Sequence, residues 1–283
     1  MIKWILSKLG FQTPVRGYEV EEQIFEGAFS NIYRAVRVPD NQIVALKVLT
    51  EAGEKMATLL DDNPKTVWEG ELLRSLDHPN IVKCFDSGIG SNYWLSMEYV
   101  ESHLKSYVGV CRNKEEENRI IELCNQIVSA LEYVHSRGYV HRDICLSNLL
   151  VSEDGTAQLI DFGMAVPQGC QLLQGRVGTP SYMAPEMIKT SHYTASADMY
   201  SLGIVMYELI TGQKPFGGEM KEQRMTRSLN FDPHPPSEHA VYCSKELDDL
   251  VMRCMSKDVD ERPGEARELA HSLFILRRRR GLT

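Results

Sequence analysis

The spacing of a few polar residues in the middle of the chain constrains it most. His141–Arg142–Asp143 is followed five residues later by Asn148, and thirteen residues after that by Asp161, which opens Asp161–Phe162–Gly163. Between Asn148 and Asp161, the runs Leu149–Leu150–Val151 and Ala157–Gln158–Leu159–Ile160 flank Ser152–Glu153–Asp154–Gly155–Thr156. Asp-Gly between apolar runs signals a β-hairpin, and a hairpin this short brings its ends together. Asn148 and Asp161 are therefore expected side by side, where an amide oxygen and a carboxylate make a hard oxygen site suited to Mg2+. Asp143 then lies one loop away, placed to accept a proton. A base beside a magnesium site is the minimum equipment for phosphoryl transfer.

These residues resemble the catalytic loop and magnesium-binding segment of the eukaryotic-type protein kinases. Asp-Phe-Gly alone says little. The ordered set of His-Arg-Asp, a five-residue gap to Asn, and Asp-Phe-Gly is far more specific, and further matches spread over roughly residues 18 to 270. The resemblance implies an α+β, two-lobed kinase fold, with a small antiparallel β lobe carrying one helix and a larger, mainly α-helical lobe. It divides the chain into an N-terminal extension (1–17), an N-lobe (18–96), a hinge (97–100), a C-lobe (101–272) and a basic tail (273–283).

Composition is compatible with this. A chain of 283 residues can bury a sizeable core, and 43% hydrophobic with 25% charged residues is ordinary for a globular protein. A net charge of −8 argues against general nucleic-acid binding. The seven cysteines (84, 111, 124, 145, 170, 243 and 254) show no paired metal spacing, which fits free thiols in a reducing compartment and a cytoplasmic expectation. The longest apolar run, Tyr200 to Ile210, is too short to span a bilayer and contains Glu208. No signal peptide, repeat or low-complexity segment is evident.

At the N-terminus, Ile2, Ile5, Leu6 and Leu9 keep a helical period that Gly10 and Pro14 end. A short packing helix is the favoured reading. The alternative is a membrane-surface anchor, since Trp4 and the flanking lysines suit an interface.

Residues 19 to 33 read as a hairpin around the tip Gly27–Ala28–Phe29. In the kinases the matching hairpin carries G-x-G-x-x-G over the ATP phosphates. Here only the middle glycine, Gly27, remains, with Phe25 and Ser30 at the outer positions. Val44–Ala45–Leu46–Lys47–Val48 is an apolar strand interrupted by one lysine. The resemblance makes Lys47 the ligand of the α and β phosphates, held by Glu69 on a helix over about Lys65 to Leu76. Glu69, Leu73 and Leu76 share one face of that helix by their spacing. The polar stretch from Thr50 to Pro64 is expected to be a mobile loop. Met97–Glu98–Tyr99–Val100 resembles the hinge, with Met97 as gatekeeper and backbone groups near Glu98 and Val100 bonding adenine. The nucleotide-binding set implied is Gly27, Phe29, Ile32, Ala45, Lys47, Met97, Glu98, Val100 and Leu150. ATP and Mg2+ are the expected cofactors, with Mn2+ as the second candidate metal.

In the second lobe, Ile120 to Val134 keep a helical period stopped at Gly138. The catalytic loop departs from the family. Positions 144 to 147 are Ile, Cys, Leu and Ser, so the lysine that serine/threonine kinases carry two residues after the base is replaced by Cys145. Removing one donor aimed at transition-state charge costs about 10²–10³ in rate in other enzymes. Arg176 is a candidate replacement cation. Gly178–Thr179–Pro180–Ser181–Tyr182 and Ala184–Pro185–Glu186 resemble the substrate-docking loop and segment end of serine/threonine kinases, with the Thr179 hydroxyl expected to bond Asp143. No Ser, Thr or Tyr stands between Met164 and Gly178, so no activating phosphosite is expected there. Arg142, which pairs with such a phosphate in the family, is expected to hold backbone or an acidic group. Asp198 is expected to brace the catalytic loop, and Arg262 to bridge to Glu186. Arg277 to Arg280 read as a solvated helix end, or as a contact for an anionic surface.

The function implied is transfer of the ATP γ-phosphate to Ser or Thr hydroxyls of protein substrates, with Asp143 as base, Asn148 and Asp161 holding the metal, and Lys47, Glu69 and Thr179 in support. The rival is a pseudokinase scaffold, suggested by Phe25, Ser30 and Cys145. A small-molecule kinase is disfavoured by Thr179 and the Ala-Pro-Glu segment. Beyond ATP and a protein substrate no partner is implied, save the membrane surface named above; no nucleic acid is expected.

Overall fold

Strand-forming alternation shapes the first third of the chain. In the computed structural model, which describes residues 15–60, 68–101, 104–109, 111–169, 178–190, 193–218 and 220–282, the chain divides into two units. One comprises residues 1–77 and 82–100, the other 78–81 and 101–283.

The first unit is a five-stranded antiparallel sheet of β1 (Tyr18–Glu26), β2 (Ser30–Arg37), β3 (Gln42–Leu49), β4 (Cys84–Ile89) and β5 (Tyr93–Glu98), in the order β1-β2-β3-β5-β4. Successive strand residues face opposite sides. Val44, Leu46 and Val48 therefore pack with Val15, Tyr18, Val20 and Ala35 in one core. Ala45 and Lys47 face the other way, in register with Ile32, Leu95 and Met97. Helix α1 (Glu51–Leu60) follows β3, and α2 (Trp68–Ser75) lies against β4.

Ten residues of the stretch expected to be a mobile loop, Glu51–Leu60, are helix α1. Its N-terminus is satisfied locally, since the Thr50 carbonyl and hydroxyl accept the amides of Glu54 (2.9 Å) and Gly53 (3.2 Å). Glu51 and Glu54 sit at the positive end of the helix, and Glu51 pairs with Lys55 one turn on. The decisive contact is tertiary: Glu54 Oε1 accepts the Tyr93 amide at 2.9 Å, which ties α1 to β5.

The second unit is mainly helical. Helix α3 (Lys114–Ser136) is capped by Asn113, whose side chain accepts the Glu116 amide, and buries Ile120, Leu123, Cys124, Ile127, Leu131 and Val134. Gly138, at φ +80°, turns the chain out of it. Two short ladders follow: β6 (Tyr139–Val140) pairs with β9 (Val166–Pro167), and β7 (Leu149–Val151) with β8 (Ala157–Leu159). The Asp154-Gly155 hairpin is thus present. Then come α4 (Pro185–Thr190), α5 (Ala195–Thr211), α6 (Lys221–Asn230), α7 (Lys245–Cys254) and α8 (Ala266–Arg280). Helix α5 is buried almost throughout and ends at Gly212 in the left-handed conformation.

The four terminal arginines are not uniformly solvated. Arg277 Nε reaches Glu122 Oε1 at 2.6 Å and Arg280 Nη1 reaches Glu117 Oε2 at 2.5 Å, so both clamp α8 onto α3. Arg278 and Arg279 remain exposed. A helix places i and i+3 on one face, so a linear run of four cations divides into two that pack and two that do not. The N-terminal segment 1–14, read above as a packing helix or anchor, lies outside the described residues. No helix among the described residues is long and apolar enough to cross a membrane.

Arg262, fully buried at its side chain, forks onto Glu186 with two bonds of 2.8 Å and lies 4.8 Å from the Tyr200 ring centre. Removing one partner of a buried pair leaves the other charge uncompensated. Arg262→Met is expected to lose about 3–5 kcal/mol of stability, read as the urea midpoint and slope of the variant against the parent chain.

Candidate active site

Each unit carries one set of the predicted residues. In the first, the alternation of β3 turns Lys47 away from the Val44, Leu46 and Val48 core, and Lys47 Nζ donates to both oxygens of Glu69 at 2.8 Å. Both residues are buried. The helix that presents Glu69 also buries Leu72 and Leu73, while Glu71 is exposed, which settles which of the two glutamates meets the lysine. Ile32 and Ala45 are half-buried on the Lys47 face and Met97 is buried there. Met97 and Glu98 end β5, and the Glu98 amide bonds the Lys83 carbonyl at 2.9 Å. Val100 is half-buried beyond the strand; Gly27 and Phe29 lie in the β1–β2 turn.

In the second unit the hairpin does what its sequence implies. The Ile160 amide donates to the Asn148 carbonyl at 2.9 Å, which sets Asp161 beside Asn148. Leu150 is buried on β7. Asn148 Nδ2 donates both to the Asp143 carbonyl (2.8 Å) and to Asp143 Oδ2 (2.9 Å). The amide nitrogen is thereby committed, and the amide oxygen is the end that faces elsewhere. Asp143 Oδ1 accepts the Thr179 amide at 2.7 Å.

That last bond corrects the sequence reading, in which the Thr179 hydroxyl was to bond Asp143. The backbone N–H does so, and the hydroxyl donates to Cys145 Sγ at 3.7 Å. The reason is local. Gly178, at φ +110°, brings the chain so close that a Cβ there would stand 2.7 Å from the Arg142 carbonyl oxygen, and this aims the next amide at the carboxylate. Cys145 Sγ also lies 3.1 Å from Ser147 Oγ. Burial, then the neighbouring Asp143 charge, pushes its thiol up to about 11. Position 145 is therefore neutral, and the thiol is unreactive at neutral pH. Arg176 lies outside the described residues.

The loop holding Asp143 is strained and supported. Arg142 and Asp161 take left-handed backbone conformations, at φ +68° and +62°, each costing of order 1–3 kcal/mol for a non-glycine residue. The buried carboxylate of Asp198, near the start of α5, offsets the first. Oδ1 accepts the Arg142 amide at 2.8 Å, and Oδ2 the His141 amide at 2.9 Å, with His135 Nε2 at 2.9 Å beside it. Burial alone would raise the pKa of Asp198; the His135 bond and the backbone amides outweigh it and hold the carboxyl below its ordinary range. Arg142 donates from Nε to the Met164 carbonyl at 2.5 Å and stacks 4.7 Å from the Tyr193 ring centre. It holds backbone, one of the two roles expected in the absence of a phosphosite.

His141 completes the support. Its Nδ1 accepts the Asp143 amide and its Nε2 meets the Ile160 carbonyl, both at 3.3 Å, while its ring packs edge-on against Phe162. Accepting at one nitrogen and donating at the other defines the neutral ring. Burial lowers its pKa from 6.5.

The first unit thus carries a buried lysine–glutamate pair on its sheet, and the second carries an aspartate held by an asparagine and a backbone amide beside a second aspartate, as the resemblance to the protein kinases implies. Comparison with known proteins agrees. Residues 18–275 match the protein kinase domain family. Over 277 residues the chain is 31% identical to serine/threonine-protein kinase 1 of Arabidopsis thaliana, covering 95% of this chain and 32% of that protein. It is 30% identical over 278 residues to serine/threonine-protein kinase pakA of Dictyostelium discoideum, covering 95% and 22%. It is 32% identical over 256 residues to serine/threonine-protein kinase pak-2 of Caenorhabditis elegans, covering 89% and 48%. The chain belongs to the protein kinase family. It spans less than half the length of each of these relatives.

Two measurements check the local chemistry. Native protein treated with iodoacetamide at pH 7.5 is expected to leave Cys145 unmodified by mass spectrometry, and denatured protein to be alkylated there. His141 is neutral in the fold and titrates near 6.5 when unfolded, so below that pH the unfolded chain binds the extra proton and stability falls with acidification. This acid-side loss is to be read as the fall in urea stability between pH 6.5 and 5.5 that His141→Gln abolishes.

Proposed function

We propose that this chain is a serine/threonine protein kinase, transferring the γ-phosphate of ATP to hydroxyls of protein substrates. The geometry of Asp143 carries the reading. One carboxylate oxygen is held by the Thr179 amide and the other by the Asn148 side chain. A carboxylate has about four acceptor sites, so the lone pairs not used by these donors can orient a substrate hydroxyl and take its proton. The order of work follows from the residues. Lys47, fixed by Glu69, holds the nucleotide phosphates. The carbonyl of Glu98 and the amide of Val100 bond adenine, since the Glu98 amide is already used within the sheet. Asp143 then accepts the hydroxyl proton as the phosphoryl group leaves ADP.

The residues fit a divalent cation. Asn148 presents its oxygen because its nitrogen is committed to Asp143, and Asp161 adds a carboxylate beside it. Two hard oxygen ligands suit Mg2+, with Mn2+ as the second candidate. Such an ion neutralises phosphate charge when bound. The Gly178–Tyr182 loop, like that of serine/threonine kinases, and the names of the relatives support Ser and Thr as acceptors.

One observation favours a second reading, a nucleotide-binding scaffold without efficient transfer. Cys145 is buried and uncharged where the family has a cation, which removes a donor worth about 10²–10³ in rate.

Transfer of labelled phosphate from ATP and Mg2+ to the chain itself and to a generic basic protein decides between them. Asp143→Asn is expected to reduce transfer by about 10²–10⁴ with ATP binding retained. Nucleotide binding without transfer by the parent chain would establish the scaffold instead.

A further inference from the structure

The turn between β1 and β2 has lost two of the three glycines of its family counterpart, yet its tip is held in a defined conformation. The Gly27 amide bonds the Ser30 carbonyl at 3.0 Å, and the Phe25 ring folds so closely over Gly27 that a Cβ there would meet it at 2.5 Å. Further restraint comes from the segment after β3. The Thr50 amide donates to the Phe29 carbonyl at 3.0 Å, and the Thr50 hydroxyl donates to the Ala28 carbonyl at 2.6 Å.

Resting on the nucleotide-binding reading above, we propose that Thr50 and Gly53 are positioning residues that aim the backbone amides of Phe29 and Ser30 at the nucleotide phosphates. A trans peptide directs its N–H opposite to its C=O. The bonds that turn the carbonyls of residues 28 and 29 toward Thr50 therefore turn the amides of Phe29 and Ser30 away from it. Successive amides presented this way form an anion-binding concavity. Ser30 pairs with Leu49 in the β2–β3 register, and the Thr50–Phe29 bond marks that pair as one that exchanges no bond of its own. The Ser30 amide is thus not spent on β3.

Gly53 shows how closely α1 must approach. A Cβ on it would stand 1.9 Å from the Phe29 carbonyl oxygen and 2.9 Å from the carbonyl carbon. Backbone at that distance must shift to admit any side chain. Glycine is otherwise a poor residue inside a helix, so contact with the loop accounts for its presence. The support is continuous: Thr50 caps α1, and Glu54 one turn on anchors α1 to the Tyr93 amide of β5. A loop stiffened at Phe25 and Ser30 is set from outside by the start of a helix.

Calorimetric titration of the full chain with ATP–Mg2+ and, separately, with adenosine tests this. Gly53→Ala improves helix propensity, yet it and Thr50→Val are each expected to weaken ATP roughly tenfold, the loss of about one hydrogen bond to a charged group. Adenosine affinity should stay at the parent value, because the amides meet only phosphate. Thr50→Ser should restore ATP binding, and Lys55→Ala, on the exposed side of α1, should leave it unchanged. Variants that bind ATP like the parent, or that lose adenosine in equal measure, overturn the proposal. A parent chain that binds neither ligand overturns the nucleotide reading and this one with it.

Discussion

The carboxylate of Asp198 is the contact on which the second unit's site depends. It is buried, and a buried carboxylate is costly unless fully bonded. Here it accepts two consecutive backbone amides, of His141 and Arg142, with His135 alongside. The consequence is a left-handed residue at Arg142 that brings Asp143 round to face Asn148 and Thr179. Because α5 is buried almost along its whole length, Asp198 cannot shift to relieve the strain. The core of the helical unit and the geometry of the loop are therefore one structure.

The same economy appears elsewhere in the chain. Lys47 is held in one place by Glu69, and Glu69 is reached because β3 alternates and α2 buries its Leu72–Leu73 side. Arg262 and Glu186 tie α4 to the end of the unit, and Arg277 and Arg280 close α8 over α3. None of these pairs is solvent-exposed at both ends, so salt would weaken them less than it weakens surface pairs.

The departures from the family acquire physical meaning together. Cys145 brings no charge, and its neighbours use it as a hydrogen-bond partner: the Thr179 hydroxyl turns to the sulfur while the Thr179 amide takes over the contact to Asp143. Phe25 and Ser30 cost the β1–β2 turn its glycine freedom, and its Ala28 and Phe29 carbonyls are held by Thr50 instead. In both places a lost family residue coincides with a backbone contact that performs the positioning.

Much of this was legible in one dimension. Periodicity marked α3 and the strands, because burial repeats every 3.6 or 2 residues. The Asp154-Gly155 turn marked the hairpin that sets Asn148 beside Asp161, because a two-sided apolar run with that turn has few other uses. The spacing of Glu69, Leu73 and Leu76 chose the right glutamate. What sequence could not specify were contacts between segments far apart in the chain. Helix α1 looked like a loop because its anchor, the Tyr93 amide, lies 39 residues away. The four arginines looked alike because the partners that set Arg277 and Arg280 apart are on α3, more than 150 residues earlier. Thr179 meets Asp143 through its amide because Gly178 closes on Arg142. Local propensity and pattern set the elements; the bonds that aim a carboxylate, an amide or a guanidinium were decided only when the chain closed on itself.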